Sequence, residues 1–402
     1  MTSVGETLPA AGSVSPATAI ADRLDKLGVV IAGLAAVAIF FEPFATFRAN
    51  RIVSGKGLLL ADALPVSFAA LGFAVVIGGA LIAMMRAKPT LRLAVGALVV
   101  AALGALIGLV PAHVVPPANA LVRVAPATGF WILIFVFTIL ITDAIAKLAL
   151  GPLARVAALA AGGAAVAVIL GAGLWSGLSV MKEYATHADS FWQEGARHIE
   201  LAFVSLAAAV IVGAPLGIAC QRSPALRSVT LPVLNIIQTI PSIAMYGLMM
   251  APLALLAARF PVLQEFGVRG IGAAPALLAL FLYSLLPVTA NVVVGLEQTP
   301  KDIVDAAAGM GMTSRQRLFR VELPLALPII LTGVRIVLVQ NIGLVTIAAL
   351  IGGGGFGVFV FQGIGQSATD LVLLGAVPTI ALAFAAAILL DALIELVQGR
   401  RK

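Results

Sequence analysis

Ten apolar runs, each about as long as a bilayer core requires, decide what this chain can fold into. A helix rises about 1.5 Å per residue, so crossing roughly 30 Å of hydrocarbon takes about 20 predominantly apolar residues. Such runs fall at 28–47, 63–85, 93–110, 129–146, 156–176, 199–220, 229–256, 273–296, 325–350 and 371–396. Of the 402 residues 61% are hydrophobic and only 11% charged, with a mean hydropathy of +1.12, which no ordinary soluble globule shows. Backbone N–H and C=O groups find no partner in lipid, so runs of this kind cross as helices. The expected fold is all-α, a polytopic transmembrane helix bundle of about ten spans. Helices in such a bundle approach through small side chains, and Gly104 with Gly108 offers one GxxxG contact surface.

One stretch between two runs breaks the pattern. Val304 to Pro324, VDAAAGMGMTSRQRLFRVELP, is polar, punctuated by glycine and rich in arginine. Just before it, Thr299-Pro300-Lys301-Asp302 reads as a helix start, with Thr299 as N-cap, Pro300 at the first helical position and Asp302 reaching back. Ile303, Ala306, Ala307 and Met310 then recur at the spacing of one helical face. Gly309 and Gly311 end the short helix, and Thr313 with Gln316 repeats the capping pattern to open a second helix that enters the membrane at Leu323-Pro324. This is an ordered surface element with a small-residue apolar face, shaped to sit in another protein's groove.

The stretch resembles the EAA loop of ABC importer permeases, in which EAA is followed by three residues, a glycine, nine residues and Ile-x-Leu-Pro. Asp305-Ala306-Ala307 stands for EAA, Gly311 for the glycine and Val321-Glu322-Leu323-Pro324 for the end, with Asp305 and Val321 as conservative departures. The resemblance implies a coupling helix that docks on a cytoplasmic ABC ATPase, with Asp305, Ala306, Ala307, Gly311, Arg315, Arg317 and Pro324 as the coupling residues. Three further runs, LPVLNIIQTIPSIAMYGL, FLYSLLPVTANVVVGL and LIGGGGFG, resemble the permeases of osmoprotectant importers, which carry glycine betaine, choline, carnitine and related quaternary amines. The resemblance covers a five-span, MetI-like permease core, assigned to 191–402. Before it lie a disordered cytoplasmic tail at 1–27 and a five-span extension with an interfacial segment at 28–190. A permease so extended is similar to the longer subunit of the Yeh-type betaine system. The implied partners are the ATPase, a second permease, an external substrate-binding protein in the periplasm or outside the cell, and the lipid bilayer.

Charge gives orientation. With the coupling loop inside, ten spans place both termini in the cytoplasm of a bacterial inner membrane. Of the 25 Lys and Arg, 16 then lie in inside segments and 8 in outside segments, with Arg335 within a span, which agrees with the positive-inside tendency. The net charge of +7 is thereby accounted for without nucleic acid. The first 20 residues lack the basic leader of a cleavable signal peptide.

Two places inside the core block carry polar groups at membrane depth. Gln238-Thr239-Ile240-Pro241-Ser242 falls mid-span, where Pro241 removes a donor, frees the carbonyl of Ile237 and kinks the helix. Gln238, Thr239 and Ser242 either re-satisfy that backbone in a static kink or line a water-filled path at a hinge. Arg335 lies deep in its span and needs a partner. Glu200, Asp391 or a carbonyl near Pro241 could supply it, and the sequence leaves the three open. A clamp between spans is preferred to substrate contact, since an unpaired arginine repels a cationic amine. Gln340 and Asn341 in the same span are further candidates for the path.

Other features carry less. Gly352–Gly357, GGGGFG, lacks the Lys-Ser or Lys-Thr of a phosphate loop and reads as a tight outer turn; Gly55-Lys56-Gly57 fails on similar grounds. No nucleotide, cofactor or metal site is expected in this chain, and His113, His187 and His198 are scattered. Cys220 has no partner for an intrachain disulfide. Lys182 to Arg197 reads as an amphipathic interfacial helix anchored by Tyr184 and Trp192. The competing class is an ion-coupled secondary transporter of small polar solutes. Its acidic residues should sit well inside spans, whereas Asp143, Glu200 and Asp391 fall near span ends. No motif supports a membrane-embedded enzyme.

Overall fold

The computed structural model describes residues 24–50, 53–116 and 121–399, so nearly all of the expected N-terminal tail lies outside the described residues. Nine described helices are long and apolar enough to cross a membrane, and a tenth apolar helix, Lys26–Phe40, is shorter. The chain divides into two compact units, 24–150 with 167–178, and 151–166 with 179–399.

The first unit contains α1 (Lys26–Phe40), β1 (Ala45–Arg48), β2 (Lys56–Leu58), α2 (Leu60–Ala63), α3 (Val66–Met84), α4 (Pro89–Val114), β3 (Arg123–Pro126) and α5 (Thr128–Leu148). Helix α1 packs against α3 and α5, and α4 lies along α5. The run expected at 28–47 is therefore not one helix. Its helix ends at Phe40, and Pro43 precedes a strand that heads a three-stranded antiparallel sheet of order β2-β1-β3. Thr46 pairs with Gly57 on one side and Ala125 on the other. Gly104 and Gly108 do give a contact surface, taken up by the segment around Trp175, whose indole N–H donates to the Gly104 carbonyl at 2.7 Å.

At one end of this unit lies a charge network that the sequence pattern did not single out. Arg92 in α4 is 2% exposed and reaches Asp25 at 2.5 Å and Asp143 at 3.3 Å. Lys147 bonds Asp143 at 2.8 Å, and Asp25 caps α1 through the Gly28 N–H. Burial pushes the Asp25 carboxyl up. The hydrogen bonds from Arg92 and Gly28, and the charges of Arg92 and Lys147, outweigh it and hold the group at about 2 instead of 3.8.

After α6 (Pro152–Gly171), which begins in the second unit, come α7 (Ser179–Thr186), α8 (Ala188–Arg222), α9 (Pro224–Thr239), α10 (Ser242–Arg259), α11 (Val262–Glu265) and α12 (Ala273–Glu297). The expected coupling region holds α13 (Lys301–Gly309), α14 (Ser314–Arg317) and a π-turn (Leu318–Glu322); α15 (Leu323–Ala348), a 3₁₀ turn, α16 (Gly357–Gly365) and α17 (Thr369–Gly399) follow. Helix α12 is the axis of this unit, packed along α8 on one side and α15 on the other, with Ala279, Val292 and Val337 fully buried between them. The expected interfacial helix is instead split at His187. Residues 179–186 form α7, and Ala188 onward already belongs to the 35-residue α8. Tyr184 and Trp192 are joined by a 3.1 Å hydrogen bond from the indole.

Candidate functional site: coupling loop and broken span

The expected coupling loop is built by local hydrogen bonding. Helix α13 starts at Lys301 with Pro300 in the capping position, and no side chain caps it. The expected Thr299 cap does not form: Pro300 takes the N-cap, Thr299 still closes the end of α12 through its N–H bond to the Leu296 carbonyl, and its buried hydroxyl has no partner. At the other end the prediction and the structure agree. Gly311 has φ +81°, and the Gly311 and Met312 N–H groups donate to the carbonyls of Ala308 and Ala307 at 2.9 and 3.2 Å, a Schellman stop. Thr313 and Gln316 form a reciprocal capping box at 3.3 and 2.9 Å. The helix buries Ala307 against its own chain and leaves Ala306, Ile303 and Met310 exposed, the last at 72%. Asp305 and Arg315 are exposed and Arg317 is half-buried. Pro324 lies in the first turn of α15, after the π-turn has shifted the helix register. Behind α13 a cleft of about 670 Å³ is lined by Arg222, Glu297, Thr299, Lys301, Asp305 and Arg317 among others.

The span expected at 229–256 is broken rather than kinked. Ile240 is extended at φ −66°, ψ 127°, as a residue before proline tends to be, and α9 stops there while α10 restarts at Ser242. The Ile237 carbonyl is not free, since it accepts the Ile240 N–H at 3.3 Å. The Ile240 carbonyl accepts the Tyr283 hydroxyl from α12, and the Gln238 amide donates to the Tyr283 carbonyl at 3.1 Å. Thr239 and Pro241 face outward, and Ser242 is half-buried. Tyr246, just past the break, donates to the Leu344 carbonyl of α15 at 2.9 Å.

Arg335 pairs with Asp391 of α17 at 2.7 Å, which selects one of the three partners left open. Both side chains remain about one-third exposed on the single chain, so the pair is not a fully buried clamp. Asn341 is 0% exposed and its amide bonds Ser205 of α8 at 2.9 Å and Ser284 of α12 at 3.0 Å. That makes it a fastener of three helices, away from any surface of the chain. Gln340 is half-buried.

Glu194, which the sequence did not single out, and His198, which it offered only as a scattered histidine, lie one turn apart in α8. They hold the glycine-rich turn: Gly355 N–H donates to the Glu194 carboxylate at 2.6 Å and Phe356 N–H to His198 Nδ1 at 3.2 Å. His198 Nε2 then carries the proton toward the Ile342 carbonyl at 2.9 Å. A side chain at Gly357 would lie 1.9 Å from the Thr346 carbonyl, so only glycine fits there. The i, i+4 spacing of Glu194 and His198 at a helix's outer end was the available signal.

With this geometry in hand, two family models match the chain. That of the binding-protein-dependent transport system inner membrane component covers residues 209–402, and that of the ABC transporter permease YehY N-terminal domain covers 25–181. The chain belongs to the binding-protein-dependent transport system inner membrane component family: it is the membrane-spanning permease subunit of an ABC importer. Among relatives, the osmoprotectant import permease protein OsmW of Salmonella typhimurium is 40% identical over 45% of this chain and 79% of its own length. The glycine betaine/carnitine/choline transport system permease protein OpuCB of Bacillus subtilis is 34% identical over 49% and 84%. The choline transport system permease protein OpuBB of the same organism is 36% identical over 46% and 78%. A solved chain of the inward-facing MetNI methionine ABC transporter aligns at 22% identity over 52% of this chain and 96% of that one, with a TM-score of 0.43.

Proposed function

We propose that this permease translocates osmoprotectants of the quaternary-amine class, such as glycine betaine and choline, delivered by an external binding protein and driven by a separate cytoplasmic ATPase. The observation that carries the energy-coupling half is α13: a short helix stopped by a Schellman turn, offering Ile303, Ala306 and Met310 to solvent beside Asp305. An apolar stripe fixed at a set angle outside the bilayer fits a groove on a partner. The substrate class follows from the relatives, each of which is named for osmoprotectants, choline, carnitine or glycine betaine.

In this reading Asp305, Ala306, Ala307, Gly311, Arg315, Arg317 and Pro324 form or position the docking element. Gln238, Thr239, Pro241 and Ser242 make the hinge, and Arg335 with Gln340 stands beside the path. A second permease completes the path, because an ion pair at membrane depth that stays one-third exposed cannot face lipid. The coupling loop and both termini lie in the cytoplasm of a bacterial inner membrane, in keeping with the distribution of Lys and Arg. The division into a 28–190 extension and a 191–402 core is in keeping with family models that end at 181 and start at 209. Ion-coupled transport is less well served, since the carboxylate of Asp391 is occupied by Arg335. The test is uptake of labelled glycine betaine into proteoliposomes containing permease, ATPase and binding protein. Uptake should require ATP and the binding protein together; uptake driven by a proton or sodium gradient without ATP would overturn the reading.

A further inference from the structure

Helix α9 buries little of its own surface. Of its sixteen residues only Leu234 is buried, while Val229, Val233 and Ile236 are exposed. It is tied to α12 at two polar points. Near the inner end, Arg227 makes a forked ion pair with Glu297, its second arm at 3.5 Å. At the outer end, Gln238 and the Ile240 carbonyl are clasped by the backbone and hydroxyl of Tyr283. These points lie 11 residues apart on α9, roughly 16 Å. Between them a groove of about 370 Å³ opens, lined by Leu231, Pro232, Asn235 and Leu286. Both ends of the helix are also joints: Ser223-Pro224 opens it and Ile240-Pro241 breaks it from α10.

Glu297 is the last residue of α12, four positions before α13 begins, and lines the cleft behind the coupling loop. The chain from α13 back to Glu297 is three residues long and both line that cleft, so a movement of α13 has a route to Glu297 and, through Arg227, to α9. We propose that α9 is a lever, with Arg227 and Glu297 as positioning residues that pass motion of the coupling loop to the broken span, and Tyr283 as the catch at its far end. A segment fixed by apolar packing would need side chains to repack before it could shift. One fixed by a surface ion pair and hydrogen bonds to carbonyls can exchange those partners for water or for each other at low cost.

The inference rests on the reading of the chain as an ATP-driven importer subunit, and its test has one arm that needs no ATPase. In the purified permease in nanodiscs, Glu297→Arg and Tyr283→Phe should each raise amide exchange across 226–239 by about fivefold, the loss of one such contact, with α8 and α12 unchanged. In the reconstituted complex each should lower substrate imported per ATP hydrolysed while basal hydrolysis persists. Arg227→Glu combined with Glu297→Arg should restore that ratio. A parallel fall in uptake and hydrolysis, or a charge swap that restores nothing, would mean that the pair only holds the fold. Unchanged exchange across α9 would also overturn the lever. If the charge variants fail to assemble, Tyr283→Phe, which removes a single hydroxyl, decides by the same two readouts. Wild-type complex that shows no ATP-driven uptake would refute the importer reading, and the exchange arm would still judge how α9 is tied.

Discussion

Single residues in this chain matter most where charge meets low dielectric. Arg335 lies 12 residues into α15, roughly 18 Å from its N-terminal end, and Asp391 neutralises it across the helix pair. Arg335→Ala leaves that carboxylate alone. Because both groups are partly exposed, the expected loss is about 1 kcal/mol rather than the several attached to fully buried pairs. The melting temperature of the detergent-solubilised protein should fall by a few degrees, and unchanged melting would argue against the clamp. Asp25 gives a pH dependence with a definite sign. Its folded carboxyl titrates near 2 and an unconstrained one near 3.8, so the unfolded chain takes up the proton first as pH falls. The network's contribution is full above about pH 5 and fades as pH drops through 4 toward 2. Thermal scans of the wild type should show melting that falls across that window. Asp25→Asn should be less stable at neutral pH and flatter between pH 4 and 2. A wild-type curve flat over the same range would remove the network from the list of stabilising contacts.

Elements show which parts of the fold were legible beforehand. The spans were, because about 20 apolar residues in lipid leave the backbone one solution. The Schellman stop and the capping box were as well, since Gly311, Thr313 and Gln316 act within a few residues of chain. Thr299 misled because the helix begins one residue later, with Pro300 at the N-cap, while Thr299 still belongs to the turn that closes α12. The first run was cut short by a strand whose partners, Gly57 and Ala125, are distant in sequence. Asn341 looked like a pathway residue because polar groups in spans often are; its serine partners on two other helices place it in the core instead. Polar partners across helices remain unreadable from one sequence, and they also decide whether a proline kinks or breaks its span. Here Tyr283 captures the Ile240 carbonyl and stabilises the break. Pro241→Ala restores a donor and removes a ring clash worth about 3 kcal/mol in a helix interior, so α9 and α10 should tend to fuse. The variant should assemble, melt no lower than wild type and import poorly. Full transport by it would show that the break is only structural.

At the scale of the whole molecule each compact unit keeps its own internal fastening, and the two family matches fall mainly one on each unit, with 151–166 matched by the first but packed in the second. The N-terminal unit relies on a charge network around a buried arginine. The permease core relies on a central helix, an asparagine joining three helices and a glycine-rich turn held by Glu194 and His198. Between its long helices it carries α13, a short amphipathic helix that leaves its apolar face open. Everything proposed about energy supply passes through that face. The direct test is affinity purification of the tagged chain from its native membrane in mild detergent, beside Gly311→Asp prepared the same way. Gly311 has open space around it, so aspartate fits sterically but strains the left-handed turn by about 1–2 kcal/mol and sets a charge beside the docking face. A nucleotide-binding ATPase should remain on the wild type and be lost from the variant, with both inserted in the membrane at equal levels. A wild-type chain that comes away free of any ATPase, under conditions that preserve control complexes, would contradict the assignment of α13 as the coupling helix.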